Sequence, residues 1–308
     1  MRQSNNKELL MKYISASTIV TDEIHFFGSE EGITVPGGAG MYALCGMKLF
    51  ADDVKPVCGS GQDFGERYGE WFRRNQIPTD EIIPCTEHTP FNIIHYREDG
   101  SRTETPKYGA NHYREIEVRP DYLENGFRLA DGIYIFRNSE KSFWEPVLSM
   151  KRKSKTKVMW EIAADAAYPE NLSAVKAISQ SIDVFSINME EARRLSGMDE
   201  AGTVNLLRSF HVPLVFLRRG AQGCIMITEC RSEAVPSASG VVVADPTGGG
   251  NSSSGAVLTG FCMGKSPVEC AWMGNMAAAM CISRYGVPET ISQEMRDQAW
   301  ERVRKETQ

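Results

Sequence analysis

Apolar and polar positions fall into short blocks of two different periods. Residues 12–20 read as a strand, which 23–27 continues or pairs with. Residues 37–50 look helical after a Gly-Gly start, and 54–59 is a short apolar strand. Across 63–75 the large apolar residues Phe64, Tyr68, Trp71 and Phe72 recur at i, i+4, i+7 and i+8, the spacing of one helix face. Strand-like runs at 91–97 and 102–106 flank Glu98-Asp99-Gly100-Ser101, and Asp-Gly between such runs signals a hairpin. From 132 onward the rhythm is regular. Apolar runs at 132–136, 157–162, 183–187 and 214–218 predict strands, separated by helical patterns at 142–153, 170–180, 190–196 and 204–210. Short strands alternating with helices imply βαβ units and a mostly parallel sheet. β-like runs follow Gly223, and an apolar run at 240–244 reads as a strand ahead of a glycine cluster. Two apolar helices at 252–263 and 267–284 and a charged one at 292–305 complete the pattern. No repeat or linker divides it. It predicts one α/β domain over 1–308 with a small β lid built from about 13–35 and 88–106.

Composition narrows the function classes. The chain is 42% hydrophobic and 24% charged, with a net charge of −6 and no basic cluster. That argues against a nucleic-acid or anionic-membrane surface. No run approaches the ~20 apolar residues of a membrane span, and the polar first ten residues lack a signal-peptide core. The expected location is cytoplasmic. The eight cysteines form no C-x-x-C pair and are expected as buried free thiols.

Glycine is mildly enriched, 27 of 308 residues against a usual ~7%, and its placement carries the chemistry. In Asp245-Pro-Thr-Gly-Gly-Gly-Asn-Ser-Ser-Ser-Gly255, three glycines leave backbone amides uncovered at the start of a helix. Such amides, with the helix dipole, form an anion site. Gly37-Gly38 precedes another helix; taken alone, it fits a ligand-approaching turn and a plain tight turn equally well. Gly59-Ser-Gly61-Gln-Asp-Phe-Gly65 misses a dinucleotide fingerprint by one position, which leaves a nicotinamide-dependent oxidoreductase with little support. Gly260-Phe-Cys-Met-Gly264-Lys265-Ser266 is one residue short of a P-loop and lies between helices, so a helix–helix turn explains it.

Together these pieces resemble the ribokinase-like (PfkB) family of carbohydrate and nucleoside kinases. Gly37-Gly38-Ala39-Gly40 through Gly59-x-x-x-Asp63-Phe64-Gly65 looks like the family's N-terminal signature. Asn188-Met-Glu-Glu191-Ala192 is similar to its N-x-x-E-A segment, and Arg219-Gly220-Ala-Gln-Gly223 to its nucleotide-side turn. Asp245-Pro-Thr-Gly-Gly-Gly-Asn251 sits where the family has D-T-x-G-A-G-D, and Asn275-Met-Ala-Ala-Ala is similar to its last nucleotide-contacting helix. The resemblance implies a three-layer α/β/α fold and ATP-dependent phosphorylation of a hydroxyl on a sugar, nucleoside or related polyol. It implies that Asp22, Gly37, Gly38 and Tyr42 bind substrate. It implies an anion hole at Gly248, Gly249 and Gly250. Asn188, Arg218, Gly220, Gly223 and Asn275 would border ATP, and Glu191, with Asn188, would order water around Mg²⁺. Asp245 and Thr247 suggest a monovalent-cation (K⁺) site, and the lid would double as a homodimer surface. Arg137, Glu161 and the lid around 91–96 would shape the sugar pocket.

One position departs from the pattern. Asn251 stands where the family places its catalytic base, an aspartate, and an amide has no useful basicity. Ser252-Ser253-Ser254 replaces an aromatic flank, Tyr42 stands where ribokinase has a substrate-binding Asn, and Arg218 where a Thr is frequent. General-base catalysis contributes ~10²–10⁴-fold, whereas positioning and charge stabilisation dominate phosphoryl transfer. The expected function is a slow kinase; the alternative is a catalytically inactive nucleotide- or sugar-binding relative.

Overall fold

The computed structural model describes residues 12–29, 31–98 and 101–308. The first ten residues and the Asp99-Gly100 turn lie wholly or largely outside that range. Nine strands form the central sheet: β1 (Tyr13–Ala16), β4 (Val54–Gly61), β5 (Ile82–Thr86), β8 (Gly132–Arg137), β9 (Lys157–Ile162), β10 (Val184–Asn188), β11 (Leu214–Arg218), β12 (Cys224–Ile227) and β13 (Ser232–Val235). Their order is β13-β12-β11-β10-β9-β8-β1-β4-β5. All neighbours from β11 to β5 run parallel, and β11–β12–β13 adds an antiparallel edge. Burial on both faces explains the unbroken apolar runs that predicted these strands. Strand order reverses at β1, and in such sheets ligands bind outside the carboxyl ends beside the reversal.

The lid is a second sheet in the order β3-β2-β6-β7, comprising β2 (Val20–His25), β3 (Gly32–Gly37), β6 (Phe91–Tyr96) and β7 (Arg102–Pro106). The β6–β7 hairpin forms as its sequence predicts. Residues 13–16, expected in the lid, instead pair with β4 and β8 in the central sheet. Ile14 and Ala16 are fully buried there, flanked by a parallel strand on each side.

Helices cover the central sheet: α1 (Ala39–Phe50), α2 (Phe64–Arg74), α3 (Ala110–Ile116), α4 (Glu124–Leu129), α5 (Lys141–Arg152), α6 (Leu172–Ser179), α7 (Met189–Ser196), α8 (Glu200–Arg208), α9 (Gly249–Cys262), α10 (Pro267–Ile282) and α11 (Gln293–Glu306). The four large apolar residues of α2 are all buried, as their spacing requires. Helix α8 starts four residues before the predicted 204, because Asp199 caps it by accepting from the Gly202 amide. Helices α1 and α9 cross so closely that a Cβ at Gly46 would lie 1.9 Å from the Ser252 carbonyl, and one at Gly255 2.1 Å from that of Ala43. This contact fixes α9 against the core.

Two expectations fail. Residues 241–244 form no strand: Val242 and Val243 are 80% and 55% exposed, and the amides of Ala244 and Asp245 donate to Ile282 instead of to a neighbouring strand. The cysteines are all free, but Cys85 and Cys230 are exposed and Cys262 is half-buried. Among the described residues no helix is long and apolar enough to cross a membrane.

Candidate active site

Helix α9 begins at Gly249, three residues earlier than its sequence pattern indicates, with Gly248 (φ 77°) as the left-handed N-cap. The glycines are therefore the cap and first turn of the helix and not a loop before it. Asp245 shapes the approach: its Oδ1 accepts from the Thr247 amide at 2.9 Å and from the Thr247 hydroxyl. First-turn amides have no partner within a helix, and those of Gly250 and Asn251 keep none among the described residues. The serines that replace the aromatic flank are buried and satisfied. Ser252 donates to Gly249 and Ala277, Ser253 to Gly250, and Ser254 pairs with Ser186 on β10.

Beside this helix end lies a cavity of about 570 Å³. It gathers Asn188, Arg218, Gly220, Gly223, Gly249, Gly250 and Asn275 from four separate stretches of the chain. Its apolar lining includes Val241, Val243, Ala278, Ala279 and Ile282. The mispredicted 241–244 segment thus lines a cavity. Asn188 caps α7 in a reciprocal box: its side chain accepts from the Glu191 amide at 2.8 Å, and Glu191 accepts from the Asn188 amide at 3.1 Å. Burial raises the Glu191 pKa, and the Arg218 guanidinium at 3.9 Å pulls it back. Asn275 donates to the Pro236 carbonyl at the rim, at 2.6 Å.

At the carboxyl ends of β9 and β11, beside the middle of β8, four side chains interlock. Glu161, 2% exposed, accepts from Tyr134 at 2.8 Å, from Arg218 at 2.9 Å and from Asn251 at 3.1 Å. Asn251 also donates to the Tyr134 hydroxyl at 3.1 Å. Burial, with Glu161 adjacent, pushes the Tyr134 phenol well up, which keeps it a hydrogen-bond donor. The fit around Gly250 is tight: a Cβ there would lie 2.1 Å from Arg218 Nη1.

Asp22 lies on β2 in the lid, 5% exposed, in register with Val35 on β3 and Asn92 on β6. Asn92 donates to it at 3.0 Å, and Tyr113 donates to Asn92. Burial raises its pKa to about 6. Gly37 is required beside it, since a Cβ there would lie 2.1 Å from Asp22 Oδ2. Gly38 (φ 89°) is the N-cap of α1. The ring of Tyr42, 3% exposed, packs against Gly248 and braces the turn that opens α9. A cavity of about 260 Å³ at the ends of β1, β8 and β9 is lined by Ser17, Thr18, Tyr113, Arg137 and Asp165. Arg137 is ion-paired to Glu117 at 2.6 Å and Glu140 at 3.1 Å.

Arg102, on the lid strand β7, spans the two halves. It donates to Thr247 and to the Tyr96 hydroxyl and lies 3.6 Å from buried Asp245. Arg102, Tyr134 and Tyr113 escaped the sequence reading, and Asn92 entered it only within the lid run 91–96. Glu161 had a visible signal, an acid inside the apolar run Val-Met-Trp-Glu-Ile; the other four had none.

The family model "pfkB family carbohydrate kinase" matches residues 29–294. A protein of Schizosaccharomyces pombe described as uncharacterized is 26% identical, over 90% of this chain and 86% of its own. The cytidine kinase of Thermococcus kodakarensis is 24% identical, over 90% of this chain and 96% of its own. Among solved structures, Arabidopsis thaliana ribokinase complexed with ribose and ATP superimposes with a TM-score of 0.74 at 20% identity, covering 95% of this chain and 98% of that one.

Proposed function

The chain belongs to the pfkB family of carbohydrate kinases, and from that premise we propose that it transfers the γ-phosphoryl of ATP to a hydroxyl of a sugar, nucleoside or related polyol. The observation that carries the reading is the convergence of Gly249 and Gly250 at the start of α9 with Asn188, Arg218, Gly220, Gly223 and Asn275 around one cavity. In this reading adenine lies against the apolar wall and the phosphates meet the α9 amides. Charge that develops on the transferring phosphoryl group is held by fixed donors, the largest contribution to such a reaction. Asp22, its carboxylate oriented by Asn92, accepts from substrate hydroxyls, and Gly37 and Gly38 let the backbone approach the same ring.

The donor set suits Mg²⁺, which binds through one or two carboxylates plus substrate phosphates and keeps several waters. Glu191 is the carboxylate at hand, with one oxygen free of the capping box. No group of three or more acidic, His or Cys side chains forms a cage among the described residues. The ion would neutralise phosphate charge. At Asp245 and Thr247 the Arg102 guanidinium supplies the positive charge, so we propose turnover without a K⁺ requirement.

A second reading, binding without transfer, is favoured by Asn251 alone. The deciding experiment incubates the purified chain with ATP, Mg²⁺ and a panel of pentoses, hexoses and nucleosides, following ADP formation and phosphorylated product. Turnover with at least one acceptor is expected. Thermal stabilisation by ATP and a sugar with no product from any acceptor refutes transfer.

A further inference from the structure

The proton of the acceptor hydroxyl has to go somewhere, and Asn251 cannot take it. Its Nδ2 is committed to two acceptors, Glu161 and Tyr134, and its remaining oxygen is not basic. We infer that Glu161 is the proton acceptor of the transfer and that Asn251 positions it, an assignment that rests on the kinase reading above.

Three observations carry it. First, the carboxylate nearest to the position where an acid at 251 would act is that of Glu161, in direct hydrogen-bond contact with the Asn251 side chain at 3.1 Å. Second, its lone pairs are not exhausted. A carboxylate offers about four acceptor sites, and Tyr134, Arg218 and Asn251 fill three, with two bonds on Oε1 and one on Oε2. One position on Oε2 stays open among the described residues. Third, Arg218 is placed to change partners. It lines the nucleotide cavity, packs on Gly250 and keeps a buried Nε with no partner. A phosphoryl oxygen at the α9 amides would compete with Glu161 for this guanidinium. An Arg218 bond released in this way frees a lone pair of the Glu161 carboxylate at the stage when a proton has to be taken.

The step balances without a further reactant. The acceptor oxygen forms its bond to the γ-phosphorus as the bond from that phosphorus to the β,γ-bridging oxygen breaks. ADP leaves with the electron pair, and the hydroxyl proton passes to Glu161. The charged and titratable groups facing Glu161 are Tyr134 from β8, Arg218 from β11 and, beyond Arg218, Glu191 from α7.

The test uses the acceptor that the wild type phosphorylates best and four proteins: wild type, Glu161→Gln, Glu161→Asp and the double variant Glu161→Gln with Asn251→Asp. Glu161→Gln should lose about 10²–10⁴-fold in kcat, with the KM for ATP within about threefold. The double variant should recover at least tenfold of that loss, because it returns a carboxylate to the same place. Glu161→Asp keeps the charge facing Arg218 and guards against a misfolded Gln variant; it should lose at least tenfold in kcat at unchanged KM. Near-wild-type kcat in either single variant, or a loss that the double variant does not recover, overturns the assignment and leaves the kinase reading intact. A wild type inert towards every acceptor overturns the kinase reading and this assignment with it.

Discussion

In the proposed kinase the two halves of the site are built by different means. The phosphate side is made of backbone: the cap and first turn of α9 and the glycine turn at 220–223, framed on the carboxyl ends of a buried parallel sheet. The sugar side is made of side chains: Asp22, Asn92 and Tyr113, which come from the lid and α3 and meet across long sequence separations. A backbone cradle tolerates little change and suits one invariant group, the polyphosphate. A side-chain cluster exchanges members freely and is where substrate choice would be set.

The sharpest way to break this contrast is at Gly250. Gly250→Ala puts a methyl 2.1 Å from Arg218 Nη1 at the mouth of the cradle. Kinetics should show kcat down by about 10²–10³-fold, the effect of losing an oxyanion-type donor, with the sugar KM little changed. Asp22→Asn probes the other half and should show the mirror image. The sugar KM rises about 10–100-fold, as expected for one hydrogen bond to a charged group, and the KM for ATP stays put. Asp22 also carries a pH signature. Its folded pKa of about 6 exceeds the ordinary 3.8, so the folded state holds the proton more tightly than the unfolded chain. The stability it contributes is full below about 3.8 and is lost as pH rises through about 6. Chemical denaturation from pH 4 to 7 should show this fall in the wild type and a flatter curve in Asp22→Asn. Over the same range, the wild-type sugar KM should rise below pH 6 as the carboxylate protonates. The smallest effect is expected at Asn188→Ala, which opens the capping box of α7. It should cost about 1 kcal/mol in denaturant titrations and weaken ATP binding only a few-fold.

The same contrast explains what was legible in the sequence. The phosphate side is local: Asp245 to Asn251 is one stretch, and Asn188 with Glu191 another, so each could be recognised from its own spacing. Even there the helix start was misplaced, because three glycines look like a loop until Gly248 is seen to cap a helix. The Val241–Val243 run misled because β-branched residues fit a strand and a cavity wall alike. The Glu161–Arg218–Tyr134–Asn251 interlock was invisible as a unit. Its members come from three strands and a helix, and only the register of β8, β9, β10 and β11 brings their ends together. Tyr42 was expected to bind substrate. Its place against Gly248 gives it a packing role that no local pattern could reveal.

Arg102 joins the two halves with one side chain. Lifting the lid strand away would leave Asp245, 3% exposed, without its guanidinium, and uncompensated buried charge is costly. In the proposed kinase, a sugar that held the lid down would also favour the arrangement of Asp245 and Thr247 that leads into α9. Linkage makes the effect mutual: whatever the sugar adds to nucleotide affinity through this contact, the nucleotide returns to the sugar in equal measure. In the proposed kinase, the Arg102 contacts with Thr247 and Asp245 would thus couple the two ligands.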